Sequence, residues 1–223
     1  MPKGWIKKRR RDYYYRKAKE EKYRSRASYK LKEAAERYNF IKPGDVVVDL
    51  GAAPGGWLQV SREIVGEEGF VLGIDLNEIK PLNYPNVHTI TQDIRDPKAV
   101  QRILMLLPRL ADVVLSDASP NISGIWEYDH SRQMELAQTT LKIAASTLRE
   151  GGNLFVKVFQ GDMLNDFINE VKRLFSEVRL VKPKASRPES AEIYILALGY
   201  KGRKHNSSKT KRREWLSLQP PEG

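Results

Sequence analysis

Apolar and polar positions change rhythm repeatedly along the middle of the chain, and each change marks an element. Val46–Leu50 is a short apolar run closed by Gly and Pro, which predicts a strand, and residues 57–65 follow at helical spacing. Phe70–Asp75 and Val87–Thr91 read as a second and a third strand. Residues 97–107 predict a helix with Pro97 in its first turn, and 112–116 a fourth strand. Residues 129–149 predict a long helix stopped by Gly151-Gly152. A fifth strand is expected over 153–159, a helix over 163–175, a short strand over 178–181 and a closing strand over 193–200. Upstream, Ala27, Leu31, Ala34 and Tyr38 form the apolar stripe of one more helix. Strands that are apolar along their whole length and separated by helices imply a mostly parallel sheet covered on both faces.

Charge divides the chain differently. Residues 1–32 hold 14 Lys/Arg against 3 acids, and 201–223 hold 7 against 2, whereas 33–200 hold 18 against 23. All the excess positive charge sits at the two ends of a mildly acidic body. The expected organisation is a basic aromatic arm over 1–23, one domain over 24–200 and a basic tail without fixed structure over 201–223. Clustered cations release counterions from nucleic acid, and Trp5, Tyr13, Tyr14, Tyr15 and Tyr23 among them offer faces for unpaired bases. RNA is therefore a better partner than a membrane surface. No apolar run approaches the ~20 residues that span a bilayer, and the N-terminus has no apolar stretch behind its charges, so a cytoplasmic protein is expected. Cysteine is absent, which removes thiol nucleophiles and Cys-ligated metals, and three His make a His-rich metal site improbable. The absence of Cys and the wealth of Lys, Arg and Glu suit a thermophile, an archaeon among them.

The sharpest local signal is Asp49-Leu-Gly-Ala-Ala-Pro-Gly-Gly-Trp57, a Gly-rich turn between a strand and a helix. Open α/β sheets bind ligands at such turns. The spacing is neither GxGxxG nor GxxxxGK[ST], which disfavours a dinucleotide or a P-loop nucleotide. Asp75 ends the next strand and suits the two hydroxyls of a ribose, and Asp93 follows the third and suits an adenine amino group. A loop open to close approach with carboxylates around it fits a cationic nucleoside, and S-adenosylmethionine is one.

Without Cys, carbon methylation of pyrimidines loses its usual nucleophile. The fourth strand ends Ser116-Asp-Ala-Ser-Pro-Asn121, without the aromatic of an amine-methylating clamp. A ribose hydroxyl remains, and it needs its proton removed or its lone pair aimed. Desolvated lysines can do this. Lys157 interrupts the apolar strand Leu154-Phe-Val-Lys-Val-Phe159, where a Lys is either an outward edge residue or a buried one with a partner. Glu192 opens the last strand, and Lys30 flanks the stripe of the first helix, facing either solvent or a cleft.

These motifs are similar to those of the FtsJ/RrmJ family of ribose 2′-O-methyltransferases, which act on large-subunit ribosomal RNA. The resemblance covers about Arg24 to Tyr200. It rests on Ser25-Arg-Ala-Ser-Tyr-Lys-Leu31, the 49–57 turn, Leu115-Ser-Asp-Ala-Ser-Pro-Asn-Ile-Ser-Gly124, Phe155-Val-Lys-Val-Phe-Gln-Gly161 and Arg187-Pro-Glu-Ser-Ala-Glu-Ile-Tyr194. It implies a Rossmann-like methyltransferase fold, a seven-stranded sheet with its last strand antiparallel. It implies a catalytic set of Lys30, Asp117, Lys157 and Glu192, with Lys157 principal, Asp117 holding it, and Lys30 and Glu192 positioning the acceptor ribose. Cofactor contacts carry over to Gly55, Trp57, Asp75, Asp93 and Asp117, without a metal. The implied substrate is a uridine of the large subunit, in free RNA or an assembled subunit, and the implied state is a monomer. A tRNA ribose methyltransferase shares the motifs. A non-catalytic RNA-binding assembly factor would not need the intact set, and an oxidoreductase is disfavoured by the loop spacing.

Overall fold

The computed structural model describes residues 13–202. The elements in chain order are α1 (Tyr13–Glu20), α2 (Ser28–Tyr38), β1 (Val46–Leu50), α3 (Gly56–Val65), β2 (Phe70–Asp75), β3 (Val87–Thr91) and α4 (Ala99–Leu106). They continue with β4 (Ala111–Ser116), α5 (Trp126–Thr147), β5 (Leu148–Phe159), α6 (Leu164–Leu174), β6 (Phe175–Val181) and β7 (Glu192–Tyr200). The strands form one seven-stranded sheet in the order β3-β2-β1-β4-β5-β7-β6. The first five run parallel, and β7 pairs antiparallel with both β5 and β6. The expected architecture is the one observed.

Whole-length burial follows from the alternation of side chains. Val47, Val113, Leu115, Phe155 and Leu196 pack on one face with α2 and α3, beside Leu31 and Trp57. Val46, Val48, Leu50, Val114, Leu154 and Val156 pack on the other, beneath α4, α5 and α6, with Ile103, Met134 and Phe167. Two cores share the central strands, so β1, β4 and the second half of β5 are buried on both faces, with Asp49, Asp112 and Lys157 as the charged exceptions. The chain order reverses between β1 and β4, which are paired Val47 to Val113 through Leu50 to Ser116. The crevice beyond their carboxyl ends is where such a sheet binds ligands.

Three segments depart from the pattern. Helix α5 begins at Trp126, three residues before the expected start, because Asp129 does not cap it. The Asp129 carboxylate instead accepts the N–H groups of Ser123 (2.8 Å) and Gly124 (3.0 Å) from inside the first turn. The helix ends at Thr147, and Gly151, at φ +79°, turns the chain within β5 rather than stopping α5. The third departure lies in the expected arm. Its residues 13–20 are the helix α1, with Ala18 buried, and Tyr23 is buried against Tyr29 with ring centres 5.6 Å apart. The Tyr23 hydroxyl donates to Glu63 at 2.6 Å, so this aromatic belongs to the core rather than to an RNA-facing surface. Residues 1–12, with Trp5, and the tail from 203 lie outside the described residues. Among the described residues no helix is long and apolar enough to cross a membrane.

Candidate active site

Two loops make the floor of a cavity at the crevice. After β1 the chain turns at Gly51 (φ +78°), and a Cβ there would lie 2.7 Å from the Cα of Ala118 in the loop after β4. Only glycine lets these backbones touch. The Asp75 carboxylate at the end of β2 braces the first loop by accepting the Ala53 N–H (2.9 Å), and it takes the backbone N–H of Asn77 at 2.8 Å. The cavity measures about 420 Å³, and Gly51, Asp75, Asp93, Asp117 and Asn121 line it. That is the size of a small-molecule cleft. Its wall carries Asp75, Asp93, Asp117 and Glu135 against Arg95 and Arg132, a net acidic lining that suits a cationic nucleoside. Asp93 already grips Arg95 through two side-chain contacts of 3.1 and 2.8 Å, and that pairing holds its carboxyl below the usual range.

Of the residues expected to meet the cofactor, the structure brings together Asp75, Asp93 and Asp117. Gly55 and Trp57 do not line the cavity. Gly55 is the left-handed residue before α3, packed against the Arg24 side chain. The Trp57 indole is buried beneath α2, where its N–H donates to the Ala27 carbonyl at 2.8 Å and its ring stacks on Phe155. What these two offer a ligand is backbone at the start of α3, not a side chain.

The four residues of the expected catalytic set meet beside Asp117. Lys157 lies in β5, buried, between β4 and β7, so it is not an edge residue. Its Nζ is 2.7 Å from the Asp117 carbonyl and 3.2 Å from Asp117 Oδ1. Register places Lys157 opposite Tyr194 and Phe159 opposite Glu192 in the β5–β7 ladder. Lys30, reaching over from α2, lies 2.7 and 2.8 Å from the two Glu192 oxygens. It also donates to the Tyr194 hydroxyl at 3.0 Å and stands 3.7 Å from Asp117. The Tyr194 hydroxyl donates in turn to Asp117 Oδ1 at 2.6 Å. Lys30 is therefore not a solvated lysine, and the set forms one chain of contacts.

Burial would raise the Asp117 carboxyl, but the Lys157 and Lys30 cations and the Tyr194 hydroxyl outweigh it and hold it below the usual carboxylate range. Burial and the charges of Asp117 and Glu192 push the Tyr194 phenol well above its usual value, so it remains a donor. Asp49 is the odd member. Both its carboxylate oxygens are buried without a partner, and burial, then the charges of Asp117 and Asp75, push it well above the usual range.

Sequence reading missed Tyr194, Asp49, Ser186 and Arg24. Ser186 donates to Glu192 at 2.8 Å. The Arg24 guanidinium ties the carbonyls of Pro54 (3.1 Å) and Pro81 (2.7 Å) together behind the Gly-rich turn. Two signals were available. Tyr194 is two residues from Glu192 on a strand and must share its face. Asp49 interrupts an apolar strand just as Lys157 does.

A doubly covered sheet with an acidic crevice and a buried lysine beside it defines a Rossmann-like methyltransferase. The model of the FtsJ-like methyltransferase family matches residues 23–200, and the chain belongs to that family, whose members use S-adenosylmethionine as methyl donor. It is 53% identical over 205 residues to ribosomal RNA large subunit methyltransferase E of Methanocaldococcus jannaschii, covering 91% of this chain and 84% of that one. The protein of the same name from Methanosarcina mazei is 54% identical over 188 residues, 84% of this chain and 69% of that one. A crystal structure of a Plasmodium falciparum protein described as a ribosomal RNA methyltransferase superposes with a TM-score of 0.71 at 30% identity, covering 81% of this chain and all of that one. A Clostridium thermocellum protein described as an rRNA methylase, at 21% identity and a TM-score of 0.55, shares the fold.

Proposed function

We propose that this methyltransferase modifies the ribose 2′-hydroxyl of a uridine in large-subunit ribosomal RNA, in the cytoplasm. The observation that carries the reading is the contact chain Lys157–Asp117–Tyr194–Lys30–Glu192, which shares Asp117 with the acidic cavity. The relatives' activity on large-subunit RNA supports the substrate.

Bound S-adenosylmethionine supplies an electrophilic methyl group on a sulfonium. Asp75 would hold the ribose hydroxyls of that nucleoside, Asp93 its base and Asp117 its ammonium end. Lys157 would direct the acceptor hydroxyl toward the methyl donor, and its amine, once neutral, would take the hydroxyl proton as the methyl group is transferred. Asp117 fixes Lys157 from two directions, and Lys30 with Glu192 seats the acceptor ribose. The protein's contribution is alignment, which in favourable cases is worth ~7–11 kcal/mol.

The test is methyl transfer from labelled S-adenosylmethionine to naked large-subunit RNA, ribosomal subunits and bulk tRNA, with Lys157→Ala alongside and the labelled nucleoside identified. Label on a ribose 2′-oxygen of large-subunit RNA, lost in the variant, is the expected result. Label on a base, or equal activity in the variant, overturns the site. A preference for tRNA overturns the substrate.

A further inference from the structure

The mouth of the site carries aromatic surface that the methyl-transfer chemistry does not use. Trp126 opens α5 and is 46% exposed. Its indole is not loose. It stacks on His130, one turn along the helix, with ring centres 5.5 Å apart and planes 25° apart. It also lies nearly parallel to Phe159, at 6.1 Å and 17°. His130 is buried and its Nε2 has no partner, so its ring serves as a flat support. Behind it the chain carries Gly161, where a Cβ would lie 2.4 Å from His130 Nε2. The His130 ring therefore rests directly on backbone. The loop leading into Trp126 is pinned by Asp129, which accepts the Ser123 and Gly124 N–H groups and the Ser123 hydroxyl at 2.8–3.0 Å. Indole, support and loop are thus fixed before anything binds.

Position decides what this surface is for. Phe159, which backs the indole, pairs directly with Glu192 and is two residues past Lys157 in the same strand. Trp126 follows the loop that begins at Asp117. Around it Ile122 and Ile125 are each 62% exposed. Tyr128, also exposed, lies under the Arg132 guanidinium at 5.3 Å. Exposed apolar side chains in a monomer mark a contact surface. A flat indole held by His130 and Phe159, with the acceptor-seating residues next door, fits a nucleobase. Base–aromatic stacking is strong and tolerant of sequence, and unpaired RNA offers splayed bases to such platforms.

Resting on the reading of the chain as an RNA ribose methyltransferase, we infer that Trp126, propped by His130 and Phe159, is the stacking platform for an unpaired base flanking the acceptor nucleotide. It sets which nucleotide of a single strand reaches Lys157. It is a substrate-positioning residue and takes no part in the transfer.

The experiment measures binding of a short unstructured RNA by fluorescence anisotropy, with wild type, Trp126→Ala and Trp126→Phe. S-adenosylmethionine affinity is measured in each as a check on folding. Binding is then repeated with single abasic substitutions along the RNA. Loss of one stack predicts weaker RNA binding by roughly 5- to 150-fold in Trp126→Ala, with most of it retained in Trp126→Phe and cofactor affinity unchanged. One abasic position costs the wild type a similar factor and costs Trp126→Ala nothing further. Unchanged RNA affinity in Trp126→Ala overturns the inference, as does an abasic penalty that survives in the variant. A defect confined to assembled ribosomal subunits also overturns it and assigns the surface to a protein. Because binding is read without turnover, a chain that transfers no methyl to any RNA ribose, yet binds RNA through Trp126, disproves the function and leaves the platform standing.

Discussion

Asp112 and Asp117 lie near opposite ends of β4, and each gathers cations around a largely buried carboxylate. At Asp112, Arg109 reaches one oxygen at 2.6 Å and Arg149 the other at 2.5 Å, and the Val46 N–H donates at 2.7 Å. At Asp117 the cations are Lys157 and Lys30, with Tyr194 as third donor. Burial would raise both carboxyls, and in both the partners win and hold them below the usual range. What differs is the use of the charge. Guanidiniums stay protonated at any working pH and saturate Asp112 as a clamp joining β1, β4 and β5. Amines can shift and exchange protons, and Asp117 also lines the cavity. An ion cluster becomes a site when its carboxylate keeps a side open to a cavity.

The largest break of this comparison is Lys157→Ala. Methyl transfer is expected to fall about 10²- to 10⁴-fold, the usual worth of a positioned acid or base, while cofactor affinity stays near wild type. Single-turnover kinetics beside a cofactor titration check both halves, and a matching loss of cofactor affinity would mean that Lys157 shapes the cavity instead. Lys30→Ala comes next. It removes the link between Glu192 and Tyr194 without touching Lys157, so the acceptor ribose is misplaced. A displacement of about 1 Å can cost roughly 10²-fold. The loss is expected in transfer to RNA with cofactor binding unchanged, and comparing the two titrations tests it.

At the other end of β4, Asp112→Ala leaves the Val46 N–H buried and unpaired and frees two half-exposed arginines. A stability loss of about 1–3 kcal/mol is expected in denaturant unfolding, with activity per folded molecule unchanged. Lost activity at full stability would make the clamp part of the site.

Most of the fold was legible because its strands are apolar along their length and its helices periodic, so period and run length separated them. The site was legible where a charge broke an apolar strand, as at Lys157, or where a motif carried it, as at Lys30, Asp117 and Glu192. Arg24 donates to a carbonyl 57 residues away and Ser186 to the Glu192 carboxylate across the loop before β7, and nothing in the local pattern announces either partner. Trp57 stood in the strongest motif, yet its side chain faces the core, because a motif fixes which backbone approaches the ligand without fixing where each indole points. The helix α5 starts at Trp126, three residues before the expected 129, and Asp129 in its first turn accepts hydrogen bonds from the loop before it.

Asp49 sharpens the contrast by running against both of the others. It lies in β1, and its folded carboxyl is pushed up by burial and by Asp117 and Asp75, so the folded state keeps a proton that the unfolded chain releases. Stability from this group is therefore present at acid pH and falls as pH rises from the ordinary carboxylate range toward the folded value. Asp112 and Asp117 have the opposite sign. Their folded carboxyls are depressed, so their stabilisation is present above the unfolded value and is lost as pH falls through the folded one. Asp49→Asn cannot ionise, and relative to wild type it is expected to gain stability as pH rises above about 4. Asp112→Asn is expected to lose relative stability as pH rises toward about 4, below the range in which Asp49→Asn gains, and to run flat above it. Unfolding of the three proteins at matched pH values gives two difference curves of opposite slope. A flat Asp49→Asn difference would mean that the carboxylate is charged and paired in the folded protein, in the manner of Asp117.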